Sequence, residues 1–292
     1  MGNVYSYTAY GLNISSFMPI DEFVTTNKKP QVRILLGKVN HIQKEKNKNF
    51  FHASQDEIQL HIKKIGKFSI QKGRKIIVDP APCATYHYLR PYIRGPLLAM
   101  LLYQRGLLLL HASTVLIGDS CVSFLGGSGC GKSTIAAFLN VKGYKVLSED
   151  ITAINSENGT LYVIPAFPLL KLNKDIASII GTRIKRLKRQ YKHCEKFSYT
   201  TNGTFQKDPA VLRRIYLLTK DNETKELKKA DALLELVRHS YVSGVAHILD
   251  PSSHFLKCAN LANKVPVYNL ARCTDLKKLP ILIKTINKEL KK

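Results

Sequence analysis

The stretch that most constrains the fold of this chain is Gly-Gly-Ser-Gly-Cys-Gly-Lys-Ser-Thr at positions 126–134. It matches the phosphate-loop pattern G-x-x-x-x-G-K-[ST], in which glycines allow backbone N–H groups to surround a polyphosphate because no Cβ blocks their approach. The apolar residues 121–125 before it predict a strand, and residues 135–139 after it predict the start of a helix. A strand, loop and helix in this order place a helix N-terminus against the anion, so the sequence predicts an α/β fold with a nucleotide site.

Within this stretch, each residue type has a role in holding a nucleotide. Lys132 is expected to reach the β- and γ-phosphates, and the Ser133 hydroxyl is expected to ligate Mg²⁺. ATP and Mg²⁺ are therefore the expected cofactors. The predicted cofactor-binding residues are Gly127, Ser128, Gly129, Cys130, Gly131, Lys132, Ser133 and Thr134.

The chain is long enough for one large or two modest domains, with 292 residues of which 45% are hydrophobic. Residues 1–88 contain short alternating or apolar runs between polar turns, which predict a small β-rich N-terminal domain. Two prolines, Pro80 and Pro82, cannot feed a sheet ladder, so the best domain boundary lies in residues 80–91. Residues 89–292 then form the domain that carries the phosphate loop.

Within residues 89–292, local patterns predict several elements. Residues 97–104 predict a buried helix, and residues 115–117 and 122–125 predict a hairpin. Residues 107–111, 161–164, 214–218 and 267–270 predict strands. Residues 230–238 predict a helix, and another is expected to start near Pro280.

The location expected from the sequence is the cytoplasm. No apolar run is long enough to span a bilayer, and the N-terminus lacks the pattern of a signal peptide. The six cysteines form no C-x-x-C pair, which argues against a zinc or redox motif. We expect Cys121 and Cys130 to be reduced, small apolar fillers.

The net charge of +24 has two interpretations. Solvated lysines explain it without a function, whereas an acidic substrate or nucleic acid would give it one. The densest basic run, residues 183–193, has apolar residues at helical spacing and a basic opposite face. A solvated face is slightly favoured there over a binding role.

An acidic pair, Glu149 and Asp150, ends an apolar strand downstream of the loop. One carboxylate at such a position can hold Mg²⁺ while the other takes a proton from an attacking hydroxyl. Upstream of the loop, His111 ends a predicted strand within Leu-His-Ala-Ser. A single histidine is more often structural than catalytic.

Together, residues 105–154 resemble the HPr kinase/phosphorylase family, which has an L-H-[GA]-S-like segment, a G-x-S-G-x-G-K-S loop and an acidic pair at similar spacings. The resemblance implies a fold like that of phosphoenolpyruvate carboxykinase, not the common parallel-sheet phosphate-loop fold. It also implies ATP- and Mg²⁺-dependent phosphorylation of a serine. Glu149 would be the base, Asp150 would ligate Mg²⁺ with Ser133, and His111 would lie beside the transferred phosphoryl group; Lys132 completes the catalytic set.

Two departures from the family matter. Its first acid is usually Asp, so at Glu149 either the base is re-aimed or Asp150 takes a larger share. No later segment resembles the family's E-x-R-G signature, which argues against a bifunctional regulator. The rest of the chain is more similar to a divergent branch, the lasso peptide kinases, over residues 10–12, 103–108, 165–172 and 265–270.

That branch implies a peptide substrate, phosphorylated on the C-terminal serine of a ribosomally made precursor. A basic pocket suits a carboxylate or a phosphate. The candidate substrate residues are Lys171, Arg213, Arg214, Arg238 and His239, with Tyr241 beside them.

The function expected from the sequence is therefore an ATP-dependent serine kinase acting on a peptide or small protein, and the sequence leaves homo-oligomerisation open. No membrane partner is expected. The alternatives are an HPr kinase/phosphorylase acting on a carrier-protein serine and a nucleic-acid-associated phosphate-loop ATPase. The second ranks lower because no nucleic-acid-binding motif is readable.

Overall fold

A computed structural model describes residues 3–40, 49–173, 188–189, 196–201, 203–220, 224–272, 280, 283, 284 and 286. Most of the basic run at 183–193 lies outside the described residues, as does most of the helix expected after Pro280. No helix in the described ranges is both long enough and apolar enough to cross a membrane.

The strands are β1 Tyr5–Ala9, β2 Leu12–Ser16, β3 Val24–Thr25, β4 Val32–Leu36, β5 Phe50–Ala53, β6 Glu57–Ile62, β7 Gly66–Gln71, β8 Lys75–Pro80, β9 Leu108–Leu110, β10 Ser113–Ile117, β11 Ser120–Leu125, β12 Val146–Ser148, β13 Thr152–Glu157, β14 Thr160–Ile164, β15 Leu169–Asn173, β16 Lys188–Arg189, β17 Lys196–Thr200, β18 Ala210–Thr219 and β19 Val267–Ala271. The helices are α1 Tyr86–Tyr92, α2 Leu98–Gln104, α3 Lys132–Val141, α4 Lys229–Arg238, α5 Ser243–Leu249 and α6 Pro251–Lys264, with a π-helical turn at Ile93–Leu97.

The chain forms two compact units. The first comprises Met1–Leu109 and Tyr241–Leu256, and the second comprises Leu110–Ser240 and Lys257–Lys292. The boundary predicted from the sequence, between residues 88 and 89, falls inside the first unit. As a division between separately folding domains it stays a prediction.

The first unit is built on one eight-stranded sheet in the order β3-β1-β2-β4-β8-β7-β6-β5. Its neighbours are antiparallel except that β4 runs parallel to both β2 and β8. Strand β8 ends at Pro80, as the proline pair predicts.

Helix α2 confirms the helix predicted for residues 97–104, but a π-helical turn joins it to α1. Pro96 has no N–H to donate to an α-helical ladder, and Gly95 adopts φ −106° and ψ −108°, outside the helical region. The helix therefore has one wider, π-helical turn before α2 begins.

The second unit is built on a mixed sheet in the order β12-β10-β11-β18-β14-β13. Strand β18 runs parallel to β11 and to β19, whereas the other pairs along this order are antiparallel. The fold is thus mixed α/β and does not have the all-parallel sheet common among phosphate-loop proteins. The predicted hairpin, the strands at residues 161–164, 214–218 and 267–270, and the helix at 230–238 are confirmed.

The core of the second unit lies between this sheet and α3. Val122 and Phe124 of β11 are buried against Ile135 and Leu139 of α3. Alternate residues of a strand share one face, and residues four apart share one face of a helix. The apolar face of β11 therefore packs against the apolar face of α3. This packing fixes the direction in which β11 delivers the chain to the loop and α3 continues from it.

Candidate active site

The phosphate loop connects the end of β11 to the start of α3, as the sequence predicts. Gly126, Gly129 and Gly131 have φ values of +144°, +80° and +101°. A Cβ at Gly126 would lie 3.2 Å from the Leu218 carbonyl oxygen, so glycine is needed there for both backbone conformation and space. Residues 127–129 are exposed at the N-terminus of a ten-residue helix, an arrangement that suits an anion.

Lys132 is the first residue of α3, and its side chain folds back onto the loop. Its Nζ donates hydrogen bonds to the carbonyl oxygens of Gly126, at 2.7 Å, and Gly127, at 3.0 Å. The residue is only 6% exposed. A buried ammonium held against the loop backbone supplies the positive charge that a polyphosphate needs.

Ser133 contacts the first acid of the pair. Its hydroxyl donates to Glu149 Oε1 at 2.7 Å, and the Glu149 side chain is 5% exposed. Strand β12 ends one residue earlier and pairs with β10, which brings Glu149 to the beginning of α3. A hydroxyl and a carboxylate oxygen are ligands that Mg²⁺ accepts, and Mg²⁺ takes its remaining ligands from water and phosphate oxygens.

These donors therefore fit the Mg²⁺ that the resemblance implies. Across the part of the chain that the structure describes, no group of three or more His, Cys, Asp and Glu side chains could hold a metal ion alone. A site completed by substrate phosphates needs no such group.

Asp150 makes a different set of contacts. Its Oδ1 lies 3.1 Å from His111 Nε2, and its Oδ2 lies 2.5 Å from Lys171 Nζ. Lys171 Nζ also lies 3.9 Å from Glu149 Oε2, so one ammonium partly balances the negative charges of both carboxylates. The Asp150 backbone has φ +74°, a left-handed conformation that Asp tolerates better than most residues.

The pKa of Asp150 lies well below its usual range. Burial acts to raise this pKa, but the hydrogen bond with His111 and the positive charge of Lys171 outweigh it. The carboxylate is therefore ionised at neutral pH.

The end of α4 supports His111. The His111 backbone N–H donates to the His239 carbonyl oxygen at 2.8 Å, and Leu110 forms an antiparallel bridge with Ser240. The His239 ring is mostly buried, and its Nε2 lies 3.5 Å from Glu235 Oε2. Burial lowers the pKa of His239; Glu235 opposes this, and the charges of Lys132 and His111 add to it.

Two of the five predicted substrate residues, Lys171 and His239, therefore lie beside the acidic pair or His111. Arg238 is 69% exposed and pairs with Glu235 at 2.5 Å. No sequence pattern indicated that Glu235 would contact His239, because only the fold brings the end of α4 to His111.

The other predicted substrate residues lie elsewhere. Arg213 is exposed, and the Arg214 guanidinium stacks 4.6 Å from the centre of the Tyr268 ring. Arg214 pairs with Val122 in the parallel register, whereas the strand that feeds the loop ends at Leu125. Arg214 therefore lies about 10 Å back along the sheet from the loop, at roughly 3.3 Å per residue. Tyr241 belongs to the first compact unit, where its N–H donates to the Leu109 carbonyl oxygen.

Sequence reasoning also missed a set of buried hydroxyls on the strands around the site, namely Thr114, Ser123, Ser148 and Thr152. The available signal was a hydroxyl residue inside an apolar strand, such as Ser123 between Val122 and Phe124. A buried hydroxyl needs a hydrogen-bond partner, so such a residue indicates a polar contact across the sheet.

Comparison with known proteins finds distant similarity among solved structures. No protein-family model matches this chain, and no curated protein matches it. Among solved structures, the chain is similar to the Hpr(Ser) kinase/phosphatase from Coxiella burnetii, with 14% identity and a TM-score of 0.36. The match covers 63% of this chain and 95% of that one.

Proposed function

We propose that this chain is a cytoplasmic ATP- and Mg²⁺-dependent phosphotransferase that phosphorylates a serine of a peptide. The observation that carries the proposal is the pairing of each acid of the Glu149–Asp150 pair with a different part of the site. Glu149 contacts Ser133 at the start of α3, and Asp150 contacts His111 and Lys171. A phosphate loop flanked by two differently engaged carboxylates suits transfer to a hydroxyl better than simple nucleotide binding.

In the proposed mechanism, the loop amides and Lys132 hold the phosphates. Ser133 and Glu149 would hold Mg²⁺, which would supply positive charge against the phosphates. Asp150 accepts the proton of the serine hydroxyl, and His111 and Lys171 keep its carboxylate ionised and oriented. The serine oxygen bonds to the γ-phosphorus as the bond to the β–γ bridging oxygen breaks, and ADP leaves with that oxygen.

This division of roles reverses the one that the resemblance implies, in which Glu149 is the base and Asp150 the metal ligand. The contacts favour the reversal because the hydroxyl of Ser133, the expected metal ligand, bonds Glu149. Glu149 is also the more buried acid, with a side chain 5% exposed against 28% for Asp150. An acceptor hydroxyl arriving from solvent reaches the more exposed carboxylate more easily.

The acceptor class comes from the resemblance to lasso peptide kinases, and we propose the C-terminal serine of a precursor peptide. Lys171 is the basic residue of the predicted substrate set that lies at the acidic pair. Its ammonium would shield an incoming terminal carboxylate from both acids.

The test is incorporation of label from [γ-³²P]ATP into a peptide ending in serine. We expect the wild-type chain to label the peptide and Lys132→Ala to reduce labelling by about 100-fold or more, because the loop loses its buried ammonium. Lys142→Ala is the matched control, since Lys142 is an exposed lysine just beyond the other end of α3. Equal labelling by the Lys132→Ala and wild-type chains would overturn the assignment.

The same assay separates the two alternatives. Efficient labelling of HPr, with none of the peptide, would support a carrier-protein kinase. ATP hydrolysis stimulated by DNA or RNA without peptide labelling, and weakened steeply by salt, would support the nucleic-acid-associated ATPase.

A further inference from the structure

Four buried hydroxyls form a continuous hydrogen-bonded network near the site, one on each of the strands β10, β11, β12 and β13. Ser123 Oγ lies 2.8 Å from Thr114 Oγ1, which lies 2.9 Å from Thr152 Oγ1. Ser148 Oγ lies 2.8 Å from Thr152 Oγ1, which donates to the Ala112 carbonyl oxygen at 3.1 Å. All four residues are fully buried. Thr152 is the branch point of this hydrogen-bonded network.

The direction of every bond in this chain follows from proton counting. A hydroxyl has one proton to donate and two lone pairs that accept. Because the Thr152 proton goes to Ala112, Thr114 and Ser148 must both donate to Thr152, and Ser123 must donate to Thr114. The Thr152 hydroxyl therefore uses its single proton and both lone pairs.

The groups that meet at Thr152 belong to the three segments that carry the proposed chemistry. Ala112 follows His111, and Ser148 precedes Glu149. Ser123, reached through Thr114, lies three positions before Gly126 on the strand that feeds the loop. We infer that Thr152 is a positioning residue, whose hydroxyl fixes the His111 segment, the acidic pair and the loop strand relative to one another.

The effect of Thr152 on catalysis rests on the proposed function, whereas its hydrogen bonds are features of the structure whatever the function. Thr152→Val keeps the shape of the side chain and removes the hydroxyl. The protons of Thr114 and Ser148 then lose their acceptor, and the Ala112 carbonyl loses its donor, all in the buried interior of the unit. The three segments relax separately, and small displacements of catalytic groups cost large factors in rate.

Two variants make the matched comparison. Thr152→Ser keeps the hydroxyl and is expected to preserve the network. Ser123→Ala removes an equally buried hydroxyl, but one that only donates, so every other proton in the chain keeps its acceptor. The bond directions therefore predict that Ser123→Ala is mild and Thr152→Val is severe.

The first measurement is hydrogen–deuterium exchange of the free protein, which does not depend on its activity. In Thr152→Val, the His111 amide, which bonds the His239 carbonyl, and the amides of residues 146–152 should exchange at least about tenfold faster. Amides of β6 to β8 in the other compact unit should be unchanged. Thr152→Ser and Ser123→Ala should stay within about threefold of wild type.

The second measurement is peptide phosphorylation. Thr152→Val should lower kcat by about 100-fold with the KM for ATP changed less than about threefold, and Thr152→Ser should restore the rate. If Thr152→Val does not fold, Thr114→Val is the substitute, because it removes one of the two donors to Thr152 and should give smaller changes of the same kind.

The outcomes separate the two claims. Wild-type exchange rates in the folded Thr152→Val protein would overturn the inference, and so would faster exchange with an unchanged kcat. A wild-type chain that phosphorylates no acceptor, combined with the predicted exchange pattern, would overturn the proposed function while supporting the network.

Discussion

Replacing Lys171 by methionine tests the electrostatics of the acidic pair. The Lys171 ammonium lies 2.5 Å from Asp150 Oδ2 and 3.9 Å from Glu149 Oε2. Two opposite charges at 4 Å interact by about 4 kcal/mol at an effective dielectric constant near 20. The side chains of Lys171 and Asp150 are 21% and 28% exposed, so water screens part of this interaction. Halving the energy for that screening gives a loss of about 2 kcal/mol in the free energy of unfolding.

The measurement is thermal and urea unfolding of wild-type and Lys171→Met proteins at several pH values. A loss of this size corresponds to a fall in Tm of roughly 4–8 °C at pH 7 for a chain of this class. Since the folded pKa of Asp150 is depressed, its stabilisation is full above the unfolded pKa of about 3.9 and is lost as pH falls through the folded pKa. The difference between the two proteins should therefore persist down to about pH 4 and narrow at pH 3.

The matched control is Lys38→Met. Lys38 forms an ion pair with Asp79 at 3.2 Å, but its side chain is 88% exposed, so the loss should be less than about 0.5 kcal/mol. Equal effects of the two substitutions at pH 7, or a Lys171→Met difference that grows as the pH falls, would show that the Lys171 charge does not stabilise the acidic pair.

Two further predictions concern the loop and the cysteines. Gly126→Ala should lower the free energy of unfolding by more than about 1 kcal/mol and abolish ATP binding, because alanine is strained at φ +144° and its Cβ meets the Leu218 carbonyl. Calorimetry checks this against the control Gly118→Ala, which lies at a turn with open space and should leave ATP binding intact. Burial raises the pKa of the Cys121 and Cys258 thiols to about 12, so a thiol reagent at pH 8 should modify exposed Cys83 and leave these two intact until the protein unfolds; peptide mass spectrometry that finds Cys121 labelled as fast as Cys83 would contradict this.

Local patterns predicted the parts of the fold that depend on local physics. The phosphate loop, the hairpin before it and α4 follow from glycine placement, turn residues and helical periodicity, and the structure has each of them. The π-helical turn before α2 was missed, because helical periodicity in an apolar run does not show where the hydrogen-bond ladder widens. Gly95 and Pro96 are the residues in the sequence that could have indicated it.

The arrangement of the site depends on long-range contacts that no local pattern encodes. Sequence reasoning grouped Arg213 and Arg214 with Lys171 and His239 by residue type, but the register of β18 against β11 separates the two arginines from the loop. It also could not decide between Glu149 and Asp150, because the two are adjacent carboxylates and only the fold, including the left-handed backbone of Asp150, determines what each one meets. The proposed division of roles between the two acids rests on the contact between Ser133 and Glu149.

Calorimetric titration of ATP with and without Mg²⁺ shows whether the loop, Ser133 and Glu149 together hold the nucleotide and the metal. We expect Mg²⁺ to tighten ATP binding at least about tenfold in the wild-type chain. Glu149→Gln should remove most of this gain and leave the metal-free affinity for ATP unchanged or slightly higher, because a negative charge near the phosphates is lost. Failure of the wild-type chain to bind ATP, or an equal gain from Mg²⁺ in wild-type and Glu149→Gln proteins, would show that these residues do not hold ATP and Mg²⁺ together.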